Sequence, residues 1–401
     1  MSLRVLWASD APWASSGYSN QTRLAAPRLA ALGHEVAILC TYGLQGAIRE
    51  WEGLRVYPGG ADSFANDVIG HSARDWQADI VITLKDSFVF KAEAMQGLRW
   101  VGMVPVDHEP LPPPVGQVCH AMYRQIAYAP NGMRELRKAG FDPLYAPHGF
   151  DPAIFAPADK AEARKFLGLP EEWFVIGTVA VNRGGIPSRK AWPQNLEAFA
   201  QFAKDKPNAR YLLHTDIAQD GFEGGVNLTA LVGQLGIADK VLFCDQTTYR
   251  RGGFPDGYLR AYYNAIDVLN AVSLGEGFGI PQLEAQACGT PIIASNFAAA
   301  RDLCFGGWQV HDGLKFYDGQ GAYVFIPQPE AIAAAMRDAY SLTPAQRAER
   351  SSMALVGSQA YQIDRIVAEH WKPLLDEIEQ DIRNPASRGV LRIVRPEEVI
   401  A

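Results

Sequence analysis

The 401-residue chain has no surplus of positive charge: 37 lysines and arginines stand against 44 acidic residues, a formal net charge of −7. Broad contact with nucleic acid or a membrane surface needs the opposite balance, so only local basic patches could make such contacts. Cysteine is sparse. Cys40, Cys119, Cys244, Cys288 and Cys304 are scattered and form no C-x-x-C pair. That pattern argues against a zinc site and for reduced thiols filling the core of a cytoplasmic protein. No apolar run reaches the length needed to cross a bilayer, and Met1-Ser2-Leu3-Arg4 leads straight into a strand without a signal-peptide pattern. The first strand–helix loop lacks G-x-G-x-x-G, which argues against a nicotinamide or flavin dinucleotide site.

What remains is a globular composition, 48% hydrophobic and 20% charged, in a chain long enough for two cores. Leu3 to Ala8 reads as a buried strand, Ser9 to Tyr18 as a loop, Asn20 to about Gly33 as a helix and Val36 to Cys40 as the next strand. This is a βαβ unit of a parallel sheet, whose loops at the carboxyl ends of the strands are where ligands bind. Strands are also expected at Ile80–Leu84, Trp100–Val104, Gln125–Tyr128 and Leu144–Ala146. A second series begins at Phe174–Ala180 and continues at Arg210–His214, Val241–Cys244 and Val268–Asn270. Tyr361 to Ile382 has the period of one long amphipathic helix.

The stretch Ala271–Ala294, AVSLGEGFGIPQLEAQACGTPIIA, organises the rest. Its glycines mark a loop, Pro281 suits the first turn of a helix, and Gly289 with Pro291 closes that helix before a short strand. The amides and dipole at the helix start favour an anion. Glu276 lies just before this point and Glu284 one turn inside it; a carboxylate there suits a pair of vicinal hydroxyls. Elsewhere, Arg183 and Lys190 flank a glycine-containing loop after a strand, which suits a diphosphate. His108 sits at a strand end between Asp107 and Glu109, where it can be polarised and oriented.

The run E-G-F-G-x-P-x-x-E followed by A-x-A-x-G-x-P resembles the E-x7-E signature of retaining, family 4-like glycosyltransferases of the GT-B fold. The resemblance implies an α/β protein of two Rossmann-like domains facing across a cleft, with a C-terminal helix crossing back to the first. Residues 1–155 with about 361–383 would form the acceptor-side domain, 172–360 the nucleotide-sugar domain and 384–401 a tail. Glu284 would then bind the donor ribose, and Glu276 would hold hydroxyls of the transferred sugar. Phe278, Gly279 and Ile280 would meet sugar and phosphate through their amides. His108 and Asp107 match the region where the family keeps a histidine on the donor sugar, and with Glu276 they are the catalytic candidates. Gly17, in Ser15-Ser16-Gly17-Tyr18, matches the close approach to phosphate or acceptor. Arg183 and Lys190 match the cations that neutralise the leaving diphosphate, with Arg189 as the alternative arginine because the loop is longer than usual. Ala191 stands where the family often has glycine. Thr248 lies in the loop Asp245–Tyr249 that would receive the base.

The expected activity is a retaining hexosyl transfer from a UDP- or GDP-sugar to an acceptor hydroxyl. No cofactor is expected, and no metal, since no D-x-D triplet occurs. Domain closure would complete the site. The acceptor is unread, with nucleic-acid and protein acceptors open. A sugar-nucleotide epimerase and a catalytically silent nucleotide-sugar-binding protein are the competing readings.

Overall fold

A computed structural model describes residues 2–217, 224–255 and 257–384. Apolar runs in the first third of the chain become the strands of a mainly parallel sheet, buried on both faces at its centre and more exposed at its edges. They are β1 (Arg4–Asp10), β2 (Glu35–Tyr42), β3 (Arg49–Trp51), β4 (Leu54–Tyr57), β5 (Ile80–Leu84), β6 (Trp100–Val104), β7 (Arg124–Ala127) and β8 (Leu144–Tyr145). Their order in the sheet is β3-β4-β2-β1-β5-β6-β7-β8, with β3 alone antiparallel to its neighbour. The chain therefore builds outward from β1 in one direction and then, from β5, in the other. The point of reversal lies between β1 and β5.

The second sheet repeats this plan. Its strands are β9 (Phe174–Val179), β10 (Ala209–His214), β11 (Val241–Phe243), β12 (Val268–Asn270), β13 (Ile292–Ser295) and β14 (Trp308–Val310), in the order β11-β10-β9-β12-β13-β14. Here the reversal lies between β9 and β12. A separate antiparallel hairpin follows, β15 (Gly313–Tyr317) with β16 (Tyr323–Pro327). It projects toward the first lobe, where the backbones of Tyr323 and Glu109 exchange two hydrogen bonds, each of 3.1 Å.

The chain crosses between lobes twice, side by side. The Phe150 amide donates to the Tyr361 carbonyl at 3.0 Å, and the Ile363 amide donates to the Phe150 carbonyl at 2.9 Å. After this second crossing the chain packs on the first lobe. Trp371 lies 5.6 Å from Trp7 between ring centroids, and Arg124 reaches Asp381 at 2.9 Å. The segment expected as one helix is broken into a 3-10 turn (Gln359–Tyr361), an α-helical turn (Ile363–Ile366), a π-helical turn (Val367–Trp371) and an α-helix (Lys372–Arg383). Pro373 accounts for the widening: it has no N–H for the carbonyl of Glu369, and its ring crowds that carbonyl. The tail beyond residue 384 lies outside the described residues.

One hydrophobic cluster ignores the division into lobes. It joins Val5, Trp7, Ile38 and Trp371 to Phe278, Leu283, Ala287 and Leu303 from the second lobe. The two lobes are thus closed upon each other around the E-G-F-G loop.

Candidate functional site at the closed cleft

The loop after β12 passes so close to the first lobe that a Cβ on Gly275 would overlap the carbonyl oxygen of Asp107. Gly279 then takes φ 108°, a left-handed value open to glycine, and starts the helix Ile280–Ala287. Between them Glu276 is buried at 9% exposure. Lys190 Nζ donates to its Oε1 at 2.5 Å, and Arg189 Nη1 donates to its Oε2 and to the Gly275 carbonyl, both at 3.2 Å. Burial would raise the Glu276 carboxyl, but Lys190 and Arg189 hold it below the ordinary range. Burial and the charge of Arg189 push Lys190 down against the pull of Glu276. Two cations and one anion thus share a pocket beside the start of a helix.

The cations are delivered by the loop after β9. Ala191, which ends it, adopts φ 49° while fully buried, the conformation glycine takes without cost. For alanine this costs about 1 kcal/mol. The turn it makes lets the Arg189 carbonyl accept from the Leu274 amide at 2.8 Å, pinning the cationic loop to the glutamate loop. Of the two candidate arginines, Arg189 is the one brought to Glu276, and Arg183 lies on the exposed part of the same loop.

Glu284, one turn into the helix, is 5% exposed and accepts from Tyr263 Oη at 2.8 Å. Burial raises its carboxyl to about 7, with the Tyr263 hydrogen bond and Arg23 pulling the other way. Phe278 is buried with its ring 5.1 Å from His148 and 6.4 Å from Tyr128 of the first lobe. A Cβ on Gly17 would lie 3.3 Å from Ile280 Cδ1, so the starts of the helices Gly17–Ala31 and Ile280–Ala287 meet across the cleft. Thr248 is different from expectation. Asp245–Tyr249 is no loop: a helix runs Gln246–Arg251, capped by Asp245, whose Oδ1 takes both the Thr248 amide (2.7 Å) and its hydroxyl (2.6 Å). An amide spent on the cap is not free to read a base.

On the first lobe, His108 is 3% exposed at the end of β6. Its Nδ1 lies 2.7 Å from Asp107, but its second carboxylate is Asp318, 2.9 Å from Nε2, at the tip of the β15–β16 hairpin. Glu109, the sequence neighbour expected in that place, instead accepts from Arg301 at 2.9 Å. Burial works to lower the imidazole, but Asp107 and Asp318 raise it overall. Asp107 is held low in turn: burial opposes ionisation, and His108 and Arg189 outweigh it. A third pair, Arg134 with Asp302 at 2.9 Å, also joins the lobes.

Asp318 was missed because the strand before it, β15, is exposed and carries no buried alternation, although Asp318-Gly319-Gln320-Gly321 is a legible turn. Lys85 and Asp86, just past the carboxyl end of β5, were missed too. The position of a charged pair at a strand end was the available signal.

Residues 177–341 match the family described as glycosyl transferases group 1. A D-inositol 3-phosphate glycosyltransferase of Geodermatophilus obscurus is 34% identical over 205 residues, 49% of this chain and 41% of the relative. The enzyme of that name from Kineococcus radiotolerans is 30% identical over 254 residues, 61% of this chain and 55% of the relative. The chain thus spans about half the length of these relatives, or less. Among solved structures, sucrose-phosphate synthase from Thermosynechococcus elongatus superposes with a TM-score of 0.74 at 20% identity, covering 94% of this chain and 99% of the other. The Anabaena protein HepE in complex with UDP-glucose gives 0.69 at 17% identity, covering 93% and 99%. The fold is GT-B.

Proposed function

We propose that the chain is a glycosyltransferase that moves a hexose from a nucleotide-sugar, a UDP-sugar in the first instance, to an acceptor hydroxyl with retention of configuration. One observation carries the reading: Glu276 is held between Arg189 and Lys190 at the start of the helix Ile280–Ala287, with Glu284 buried one turn further in. Each charge is satisfied internally, and each matches a group of the donor. In this reading the diphosphate takes the place of Glu276 as partner of Arg189 and Lys190, which frees Glu276 to accept hydroxyls of the sugar. Arg183 joins them from the outer part of the loop. The amides of Phe278, Gly279 and Ile280 face the phosphate, Glu284 accepts the ribose hydroxyls, and Gly17 lets the phosphate approach. Asp107 fixes His108 against the sugar.

As the acceptor oxygen bonds to the anomeric carbon, the bond from that carbon to the phosphate oxygen breaks. The nucleoside diphosphate leaves with the electron pair and takes up the hydroxyl proton. Negative charge grows on the leaving phosphate where two fixed cations and a helix dipole already stand, which is where preorganised electrostatics lowers a barrier. HepE, solved with UDP-glucose, supports the choice of UDP over GDP. The curated relatives named for D-inositol 3-phosphate make phosphorylated and plain polyols the acceptors to try first. The epimerase reading is not favoured by these relatives.

The test is to incubate the protein with UDP- and GDP-sugars and follow free nucleotide with and without acceptors, in the presence and absence of EDTA. Acceptor-dependent, EDTA-insensitive release with an α-linked product from an α-linked donor is expected. Isomerised sugar with no release would establish the epimerase, and tight binding with neither product the silent binder.

A further inference from the structure

The reversal point of the first sheet, between β1 and β5, is a crevice of the kind in which open α/β sheets hold ligands. It faces the donor pocket. Its walls are Asp10 at the end of β1, Tyr18 in the first turn of the helix Gly17–Ala31, and Lys85 with Asp86 after β5. Lys85 Nζ is committed to Asp10 at 2.7 Å and lies 4.8 Å from the centre of the Tyr18 ring. Asp10 also accepts from Ser16 at 2.6 Å and Thr41 at 3.0 Å, so it is fully occupied as the counter-ion. Tyr18 Oη donates to Asp86 at 3.2 Å. Beside them Ser87, 2% exposed, has a buried hydroxyl without a hydrogen-bond partner.

We infer that this crevice is the acceptor subsite and that it takes an uncharged polyhydroxyl group in preference to its phosphate ester, with Asp86 as the selecting residue. The inference rests on the transferase reading and adds to it the chemical class of the second substrate. The charge inventory supports it. Lys85 is neutralised by Asp10, and Arg189 is shared with Glu276. Toward the mouth, Arg134 and Arg301 are paired with Asp302 and Glu109. Asp107 is spent on His108, whereas Asp86 accepts from Tyr18 and feels the charges of Asp107 and Arg189. Among the described residues Asp86 is bonded by the Tyr18 hydroxyl and by no cation, and Asp107 stands near it, so a hydroxyl donor finds an acceptor there while a second anion meets two carboxylates. Like charges brought together at a recognition surface discriminate against the wrong partner.

The experiment uses the intact protein, UDP-glucose as donor and matched acceptors: myo-inositol with its 3-phosphate, and glucose with glucose 6-phosphate. UDP binding by calorimetry comes first. Wild type is expected to release UDP with kcat/KM at least about tenfold higher for the uncharged member of a pair. In Asp86→Asn, which keeps size and most hydrogen bonding, that ratio should collapse toward one while UDP binding persists. A preference for the phosphorylated member, stimulation by neither member, or a ratio unchanged in Asp86→Asn each overturns the inference. Failure of wild type to bind UDP or any other nucleotide overturns instead the donor reading beneath it.

Discussion

The two reversal points, β1/β5 in the first lobe and β9/β12 in the second, are built alike and charged differently. Both are crevices at the carboxyl ends of parallel strands, and each contains a lysine bonded to a buried carboxylate: Lys85 to Asp10, Lys190 to Glu276. In the first lobe, Asp10 has two further hydroxyl donors, so its pair is finished and structural. In the second, Glu276 is held by two cations beside a helix start, so positive charge is in excess and the pair is exchangeable. In the proposed reading the same local bond therefore serves a scaffold in one place and a binding site in the other. What separates them is how many other partners the carboxylate has.

Lys190→Ala is the strongest way to break that contrast. Turnover, measured as acceptor-dependent UDP release, should fall by about 10²- to 10³-fold, as for loss of one preorganised donor to developing charge. Arg189 still compensates Glu276, so the thermal midpoint should fall by only a few degrees. A collapse of folding with no separate loss of turnover would make Lys190 as structural as Lys85.

Glu284 sharpens the contrast through pH. Its folded-state value of about 7 lies above the ordinary carboxylate range because of burial. The proton is therefore bound more tightly folded than unfolded. This contribution to stability is full below about 4.3 and is lost as pH rises through about 7. Ribose hydroxyls prefer the ionised form, so UDP affinity should rise about tenfold between pH 6 and pH 8. The calorimetric signature is net proton release on binding near pH 6.5. Glu284→Gln should flatten the profile, and Glu284→Ala should weaken UDP binding outright. A pH-independent wild type would remove Glu284 from the donor site.

Asp318→Asn is expected to lower turnover by about tenfold, since His108, proposed to face the sugar, loses one of its two orienting carboxylates. The His108 imidazole is raised by Asp107 and Asp318 together. Its contribution to stability is complete below about 6.5 and is lost as pH climbs through the raised value. In the variant that loss should begin at lower pH, visible as a shift in the profile of thermal midpoint against pH. No shift would mean that the hairpin touches His108 without charging it.

The legibility of these features followed how local they are. Alternating strands and helices were readable because each apolar run carries its own period, and the E-G-F-G turn because glycine and proline constrain the backbone by themselves. The sequence pattern names Arg183 with Arg189 as the alternative, because the position of Arg189 depends on the left-handed turn at Ala191, a geometry no period encodes. Asp318 joins His108 across 210 positions from the turn of a hairpin whose first strand is exposed, so nothing near it in sequence points there. The loop expected at Asp245–Tyr249 is a helix for the opposite reason. Asp245, three residues before Thr248, is a local helix N-cap signal, while the loop was implied by the resemblance. Pro373 was visible inside the long amphipathic segment, yet a proline tells that a helix must change without telling how.

The smallest expected effect tests whether the two helix starts act as one surface. A Cβ at Gly17 would lie 3.3 Å from Ile280 Cδ1, a contact tight enough to move that side chain by a few tenths of an ångström but not to unfold the lobe. Gly17 is the first residue of its helix, where alanine is well tolerated. Gly17→Ala should therefore leave the thermal midpoint nearly unchanged. It should weaken UDP affinity by about twofold to fivefold, roughly 0.4 to 1 kcal/mol. Ile280→Val in the same chain removes the methyl that is struck and should restore affinity. If Gly17→Ala costs nothing, or Ile280→Val fails to rescue it, the helix starts are neighbours in the closed form without sharing a ligand.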